Sequence, residues 1–330
     1  MMTSCCLILL LLLITPATSQ QINIPDRFAI YYGYPSLING ANGNVDKAVK
    51  AFAKYSLVIL GDGVEFSDTV AERMPPGVGP VEHALAKQII SKLQARGTKV
   101  YGYIAIGNTQ RLSSDEIERR IKLWADMGIY GVFLDEAGYD YGVTRQRQNS
   151  AIDFAHKLGL SVFINAFNPD DVFSSQPVPF NAVGGGNPIG LPTLLGKNDL
   201  YMLESFQIVQ GNYEDPALWM ARATKATGYK SRYGTKLMAV ATSGQMFAQT
   251  LLEYAWWGAL LWGLDGFAWG EPDYGTSSNL PFRRVKALSA DIGTNYLSSV
   301  ITQEGVYIRY TNKGKIFVDT LRYKAGFLSQ

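Results

Sequence analysis

The feature that most constrains the fold is a regular alternation of short apolar runs with longer helix-like segments. Eight such runs, rich in β-branched and aromatic residues, recur along the 330-residue chain. They are FAIYYGY (28–34), YSLVILGDG (55–63), KVYGYIAIG (99–107), GVFLDE (131–136), SVFINAFN (161–168), LYMLESF (200–206), KLMAVAT (236–242) and GFAWGEPD (266–273). Runs that are apolar throughout are typical of parallel strands that helices cover on both faces.

Helix-like segments separate these runs, at residues 45–55, 81–96, 114–127, 144–158, 217–227 and 247–263. Three of them end in a glycine just before the next strand, Gly97, Gly128 and Gly159, and glycine accepts the left-handed conformation that closes a helix. Eight β-α units in about 270 residues predict a closed (β/α)8 TIM barrel, which we place at residues 25–292. No G-x-G-x-x-G motif follows the first strand, which argues against a dinucleotide-binding fold.

Two segments depart from the repeat. The link after the fifth strand, residues 168–196, is rich in Pro and Gly, so its helix should be short or displaced. Residues 293–330 read as an antiparallel β-hairpin with its turn at Thr311-Asn312-Lys313-Gly314. We expect this hairpin to pack on the barrel as an appendage; a small independent binding element is the alternative.

The first nineteen residues have the pattern of a secretory signal peptide. They carry no charged side chain, contain an unbroken apolar run at 7–14, and end in small residues near Ser19. A cleaved signal is favoured over a buried N-terminal helix, which predicts a secreted, periplasmic or extracellular protein. Cys5 and Cys6, the only cysteines, both lie in this segment, so the mature chain would have no disulfide and no cysteine ligand or nucleophile.

Charge and histidine content exclude several functional classes. The net charge is +2 without any run of Lys or Arg, so we expect no nucleic-acid partner, and no stable membrane insertion after signal cleavage. The two histidines, His83 and His156, lie in helix-like segments and do not suggest a catalytic triad or a metal site. We therefore expect neither a metal nor a cofactor; the oligomeric state is left open.

Function in such a barrel collects at the carboxyl ends of the strands. The side chains there are acidic, amide or aromatic and almost without Lys or Arg, which suits a polysaccharide cleft and not a phosphate site. The residues that we predict to bind a polysaccharide substrate are Tyr32, Tyr34, Asp62, Asn108, Tyr139, Asp140, Asn165, Asn168, Gln207, Trp269, Glu271 and Asp273. Trp269 is the predicted sugar platform because it ends a strand, whereas Trp256, Trp257 and Trp262 lie on a helix and should pack.

Three strand-end acids could supply the two carboxyl groups that glycoside hydrolysis needs. Asp135 and Glu136 end the fourth strand, and Glu204 ends the sixth. A strand-end acid often only caps a turn, but the buried run before the pair and the second acid nearby favour catalysis. Adjacent strand residues point to opposite faces, so the sequence leaves open which of Asp135 and Glu136 faces the substrate, and also whether hydrolysis inverts or retains configuration.

The order GVFLDEAG, INAFNPDD, LYMLESF resembles the spherulin-four-like proteins of glycoside hydrolase family 135 and the related endo-α-1,4-polygalactosaminidases of family 114. The resemblance implies a secreted TIM-barrel hydrolase of galactosamine-containing exopolysaccharide. It carries over onto Asp135, Glu136, Asn168-Pro169 and Glu204. The D-x-x-D-x-D-x-E pattern of chitinase-like barrels is missing, since Gly131 stands four residues before Asp135.

An acidic mouth would attract a polymer with free amines, and we expect Asp62, Glu65, Asp140, Glu271 and Asp273 to form it. Two other interpretations stay open. One is a non-catalytic carbohydrate-binding barrel, which would keep the aromatic mouth without needing the acids. The other is a glycosidase of another barrel family that acts on neutral α-linked glycans.

Overall fold

The computed structural model describes residues 20–61, 63–67, 79–275, 278–286 and 291–329. The predicted signal peptide and Asp62 lie outside these residues. Within them, no helix is long and apolar enough to cross a membrane.

Eight parallel strands form a closed barrel, which confirms the predicted (β/α)8 TIM fold. In chain order they are β1 (Asp26–Tyr31), β2 (Leu57–Leu60), β3 (Lys99–Ala105), β4 (Gly131–Asp135), β5 (Ser161–Asn165), β6 (Leu200–Leu203), β7 (Lys236–Thr242) and β8 (Gly266–Gly270). Each strand pairs with the next, and β8 pairs with β1 to close the ring.

The helices between these strands are α1 (Val45–Phe52), α2 (Gly79–Gln94), α3 (Ser114–Asp126), α4 (Arg145–Lys157), α5 (Asp170–Phe173), α6 (Pro216–Tyr233) and α7 (Gln249–Leu261). The glycines predicted to end helices, Gly97, Gly128 and Gly159, have φ of +85°, +80° and +75°, the left-handed region in which an added Cβ costs energy. As expected for the Pro- and Gly-rich link, α5 is a single turn, and an irregular insertion follows it.

Two concentric layers of apolar side chains form the core. Alternate strand residues point into the barrel, where Phe133, Phe163 and Met202 belong to one buried cluster. The residues between them, such as Leu134 and Ile164, point outward and pack under the helices in a second cluster. This alternation decides which strand-end side chains face the mouth of the barrel.

The predicted C-terminal hairpin is present, and further strands extend it into a sheet. The hairpin strands Val306–Thr311 (β11) and Gly314–Asp319 (β12) pair through the predicted turn. Asn295–Tyr296 (β9), Ile301–Gln303 (β10) and Lys324–Ser329 (β13) complete the antiparallel sheet with Gln20–Gln21, which pairs with β9. Strands β12 and β13 pack against α7, so this sheet lies on the outside of the barrel.

Candidate active site

Three polar side chains replace the apolar core at the carboxyl end of the barrel. Each follows an inward-pointing core residue by two positions: Asp135 follows Phe133, Asn165 follows Phe163, and Glu204 follows Met202. Because strand side chains alternate with a period of two, all three point toward the barrel axis. They lie on the consecutive strands β4, β5 and β6 or directly after them.

Asn165 joins the two carboxyl groups. Its Nδ2 donates one hydrogen bond to Oδ1 of Asp135 and one to Oε2 of Glu204, each at 2.9 Å. The two acceptor oxygens are therefore at most twice 2.9 Å, or 5.8 Å, apart. In retaining glycosidases the catalytic carboxyl groups are about 5–5.5 Å apart, against about 6.5–9.5 Å in inverting ones. The two bonded oxygens are therefore closer together than the carboxyl groups of an inverting pair.

Asp135 is set up to hold a proton close to neutral pH. Burial at the end of the barrel, and after it the negative charge of Glu204, raise the pKa of its carboxyl from 3.8 to about 6. Hydrogen bonds from Asn165, from the backbone N–H of Glu136 at 2.9 Å and from the Tyr103 side chain oppose this rise in pKa. Below about pH 6 the Asp135 carboxyl therefore carries a proton.

Glu204 is held at both carboxylate oxygens. Oε2 accepts from Asn165, and Oε1 accepts from the Tyr274 hydroxyl at 2.9 Å. The ring of Tyr32 lies 5.3 Å from that of Tyr274 and 5.0 Å from that of Tyr103. Burial, together with the nearby carboxylates, raises the pKa of Tyr32 and Tyr274 well above the usual value, so both stay protonated. The three tyrosines thus form an aromatic floor beneath the carboxylate pair.

The structure decides which member of the acidic pair on β4 meets Glu204. The strand ends at Asp135, and Glu136 takes a left-handed backbone conformation with φ of +55°. Its side chain turns toward the loop after β3, where a Cβ on Gly107 would come within 2.6 Å of the Glu136 Cβ. Glu136 Oε2 lies 3.4 Å from the backbone nitrogen of Thr109. Asp135 is therefore the partner of Glu204, and Glu136 stands on the rim.

The carboxylates open into a cleft of about 290 Å³. The residues that line it come from the ends of β4 and β5 and from the loops after β4, β5 and β6. They are Asp135, Glu136, Asp140, Tyr141, Asn165, Ala166, Phe167 and Glu204. The two aromatic residues in this set are well exposed, Tyr141 at 41% and Phe167 at 45%. No Lys or Arg is found among these lining residues, so the cleft is acidic.

Trp269 is not the sugar platform; that prediction is wrong. It follows the inward-pointing Ala268 by one position, so its side chain points out of the barrel into the layer under the helices. Its indole is 9% exposed and meets the ring of Phe247 edge-on at 5.6 Å. Position at a strand end was the wrong criterion, because the direction of the side chain matters as well.

Gln207 and Glu271 are also turned away from the cleft. Gln207 is fully buried against α7, where a Cβ on Gly258 would come within 2.0 Å of its Oε1. Glu271 forms an ion pair with Arg283, with 2.6 Å between Oε1 and Nε. The prediction that these two bind substrate is contradicted by where they point.

Tyr139 and Asn168 hold the loops around the cleft in place instead of lining it. Tyr139 is 7% exposed beneath the insertion, and its backbone N–H donates to Oδ2 of Asp171 at 2.9 Å. Asn168 donates to the other oxygen of Asp171 at 2.8 Å and accepts from the backbone N–H of Asp170. Asn165, and not Asn168 of the Asn-Pro pair, is therefore the asparagine that contacts the carboxylates.

The remaining predicted residues lie around the mouth. Tyr32 belongs to the aromatic floor, and Asp140 lines the cleft. Asn108 is exposed, and its backbone N–H donates to the carbonyl oxygen of Tyr141 at 3.0 Å. Tyr34 packs against the outer core cluster, and Asp273 is exposed beside Tyr274.

The acidic character of the mouth comes from fewer side chains than expected. Glu65 is fully buried and pairs with Arg120 at 3.6 Å, and Glu271 is paired with Arg283. Among the described residues, the negative charge at the cleft comes from Glu136, Asp140 and the central carboxylate pair.

Four side chains of the site were not among the predicted site residues: Tyr103, Tyr141, Phe167 and Tyr274. For one of them the period of two is a usable signal, because Tyr103 lies on β3 two positions after the inward-pointing Tyr101. Tyr274 reaches the site because its own backbone, with φ of +47°, folds the chain back after β8. A left-handed tyrosine has no signature in the sequence.

No protein-family model matches the chain, and no curated protein does. Solved structures similar to it include the glycoside hydrolase domain of PelA from Pseudomonas aeruginosa (14% identity, TM-score 0.47, 78% of this chain and 100% of that chain). Another is a maltogenic α-amylase, AmyB, from Thermotoga neapolitana (10% identity, TM-score 0.50, 88% of this chain and 84% of that chain). A third is a GH18 chitinase from Pseudoalteromonas aurantia (12% identity, TM-score 0.43, 74% of this chain and 93% of that chain). The likeness to AmyB agrees with the TIM-barrel fold and shows the fold alone, so the chemistry must be argued from the site itself.

Proposed function

We propose that this protein is a retaining glycoside hydrolase whose catalytic groups are Asp135 and Glu204. The observation that carries the proposal is the double hydrogen bond from Asn165, which holds one oxygen of Asp135 within 5.8 Å of one oxygen of Glu204 at the mouth of the barrel. A structural role is disfavoured because none of the ion pairs found in the described residues includes Asp135 or Glu204, unlike those of Glu65, Glu214 and Glu271. Two unpaired carboxylates held this close are costly, which is typical of functional sites.

The pair has the groups for a two-step displacement. The protonated carboxyl donates its proton to the glycosidic oxygen as the bond to the anomeric carbon breaks, while the other carboxylate attacks that carbon. The leaving alcohol departs, and a covalent glycosyl-enzyme ester remains. Water then attacks the same carbon, its proton returns to the first carboxylate, and the ester bond breaks to release a sugar of retained configuration.

The neighbouring residues keep the pair ready for this chemistry. Asn165 fixes the distance between the carboxylates, and Tyr274 orients Glu204 through its hydroxyl. Tyr103 and the backbone N–H of Glu136 orient Asp135. Groups held in advance need no reorganisation in the transition state, which is the main source of electrostatic catalysis.

For the substrate we propose a galactosamine-containing exopolysaccharide, cut within the chain by a secreted enzyme. Support comes from the resemblance of the segments around Asp135 and Glu204 to families 135 and 114, and from an acidic cleft that suits protonated amines. The signal-like first nineteen residues support secretion.

The test is hydrolysis by the mature chain of deacetylated and acetylated galactosamine polymers and of neutral α-linked glycans. Reducing ends should appear from the galactosamine polymers, and Asp135→Asn and Glu204→Gln should each abolish the release. Asp140→Asn is the comparison variant: it removes an acid from the same cleft without touching the pair, so it should raise KM for an amine-bearing polymer and keep kcat. Binding of a glycan without hydrolysis of any would support the non-catalytic barrel, and hydrolysis of the neutral glycans alone would reject the galactosamine substrate.

A further inference from the structure

Phe167 is the most exposed large apolar side chain lining the cleft, at 45% exposure. It lies two residues after Asn165, just past the end of β5, and lines the same cleft as Asn165 and the two carboxylates. The carbonyl oxygen between them, that of Ala166, accepts the Tyr201 hydroxyl at 2.5 Å and fixes the backbone there. Exposure of an aromatic ring to water is unfavourable, and a ligand that covers the ring removes this apolar surface from water.

The ring of Phe167 is supported from one side by Arg222. The guanidinium carbon lies 4.2 Å from the ring centroid, a cation-π contact. Arg222 is 4% exposed and bonded to Glu214 at 2.5 Å, so this support is buried and fixed. Because one face of the ring packs on Arg222, the exposed part of Phe167 is the part that lines the cleft.

Arg222 also connects the ring to the catalytic pair. Its Nη1 donates to the backbone carbonyl oxygen of Glu204 at 2.8 Å. One buried side chain therefore sets the position of the ring and of the residue that carries a catalytic carboxylate. A ring placed in this way can hold a sugar at a defined distance from the bond that is cut.

We propose that Phe167 is the stacking platform for a sugar residue next to the cleaved bond, and that Arg222 is its positioning residue. This inference rests on the proposed glycoside hydrolase function. The platform presents an apolar ring to the C–H face of a sugar, so it recognises a pyranose by shape, independently of amine charge. It takes the role that the sequence suggested for Trp269.

The experiment compares Phe167→Ala with Phe167→Tyr and with Phe180→Ala on the hydrolysed polymer. Phe180 is the matched control, because it is 61% exposed on the insertion and is not a cleft-lining residue. Loss of stacking should raise KM roughly tenfold in Phe167→Ala while kcat changes less than about threefold. Phe167→Tyr keeps the ring and should restore KM, and Phe180→Ala should leave both constants at the wild-type values.

The result that overturns the platform is an active wild type whose KM is the same in Phe167→Ala, or a KM that rises equally in Phe180→Ala. A fall in kcat and Tm without a change in KM also overturns it, since that marks a packing role. Failure of the wild type to hydrolyse any glycan is a different outcome, because it rejects the proposed function and the platform with it.

Discussion

The raised pKa of Asp135 makes a prediction about stability that needs no substrate. A carboxyl whose pKa rises from 3.8 in the unfolded chain to about 6 in the folded one binds its proton more tightly when folded. Above pH 6 the carboxyl is ionised in both states, and its raised pKa in the folded state lowers the free energy of unfolding. This penalty disappears as the pH falls toward 4. A shift of about two units at about 1.36 kcal/mol each sets a ceiling of about 3 kcal/mol for the penalty.

Asp135→Asn removes this penalty, because an amide of the same shape carries no charge. Its oxygen can still accept from Asn165 and from the backbone N–H of Glu136. We expect the variant to be more stable than the wild type at pH 8 by about 1–3 kcal/mol, and nearly equal to it at pH 4.

The assay is thermal and urea unfolding of both proteins at pH 4, 6 and 8. Asp140→Asn serves as the control, since it removes an exposed acid of the same loop and should change stability by less than about 0.5 kcal/mol. An Asp135→Asn variant that is less stable at pH 8, or one whose advantage does not vary with pH, would refute the account of the pair.

Three further predictions concern activity. The kcat/KM of the wild type should fall as the pH rises through about 6, because Asp135 then loses the proton that the leaving oxygen needs; a pH–rate profile that is flat from 5 to 8 would contradict this. Tyr274→Phe removes the hydroxyl that orients Glu204 and should lower kcat roughly tenfold to a hundredfold with little loss of Tm, measured by initial rates and thermal shift. Trp269→Phe should lower Tm by a few degrees and leave kcat/KM within about twofold, since the indole packs outside the barrel; a large rise in KM would restore it as a sugar platform.

The fold was predictable because its signals are local. Each strand is a continuous apolar run, and glycines such as Gly97 close helices in the left-handed conformation. The sheet that joins residues 20–21 to the C-terminal hairpin was not predicted, because two residues carry no strand pattern and their partner lies far along the chain. Long-range pairing of this kind leaves no mark in a single sequence.

The two carboxylates of the site were predictable from the sequence, whereas most of the side chains around them were not. Asp135 and Glu204 end apolar runs that keep a strict period, whereas Gln207 comes after the strand has ended, where the period no longer applies. The period of two along β8 excludes Trp269, because Ala268 before it points into the barrel. Tyr274 depends on two consecutive left-handed residues, which tertiary contacts stabilise against local preference.

The central claim is that Asp135 and Glu204 act together as a retaining pair, and proton NMR of the reaction in progress tests it most directly. The first sugar released by the wild type should have the configuration of the substrate at its anomeric carbon, and neither Asp135→Asn nor Glu204→Gln should release product at a comparable rate. Exogenous azide should trap a glycosyl azide in the alanine variant of whichever residue is the nucleophile. An inverted first product, or undiminished hydrolysis after both carboxyl groups are replaced, would contradict the account.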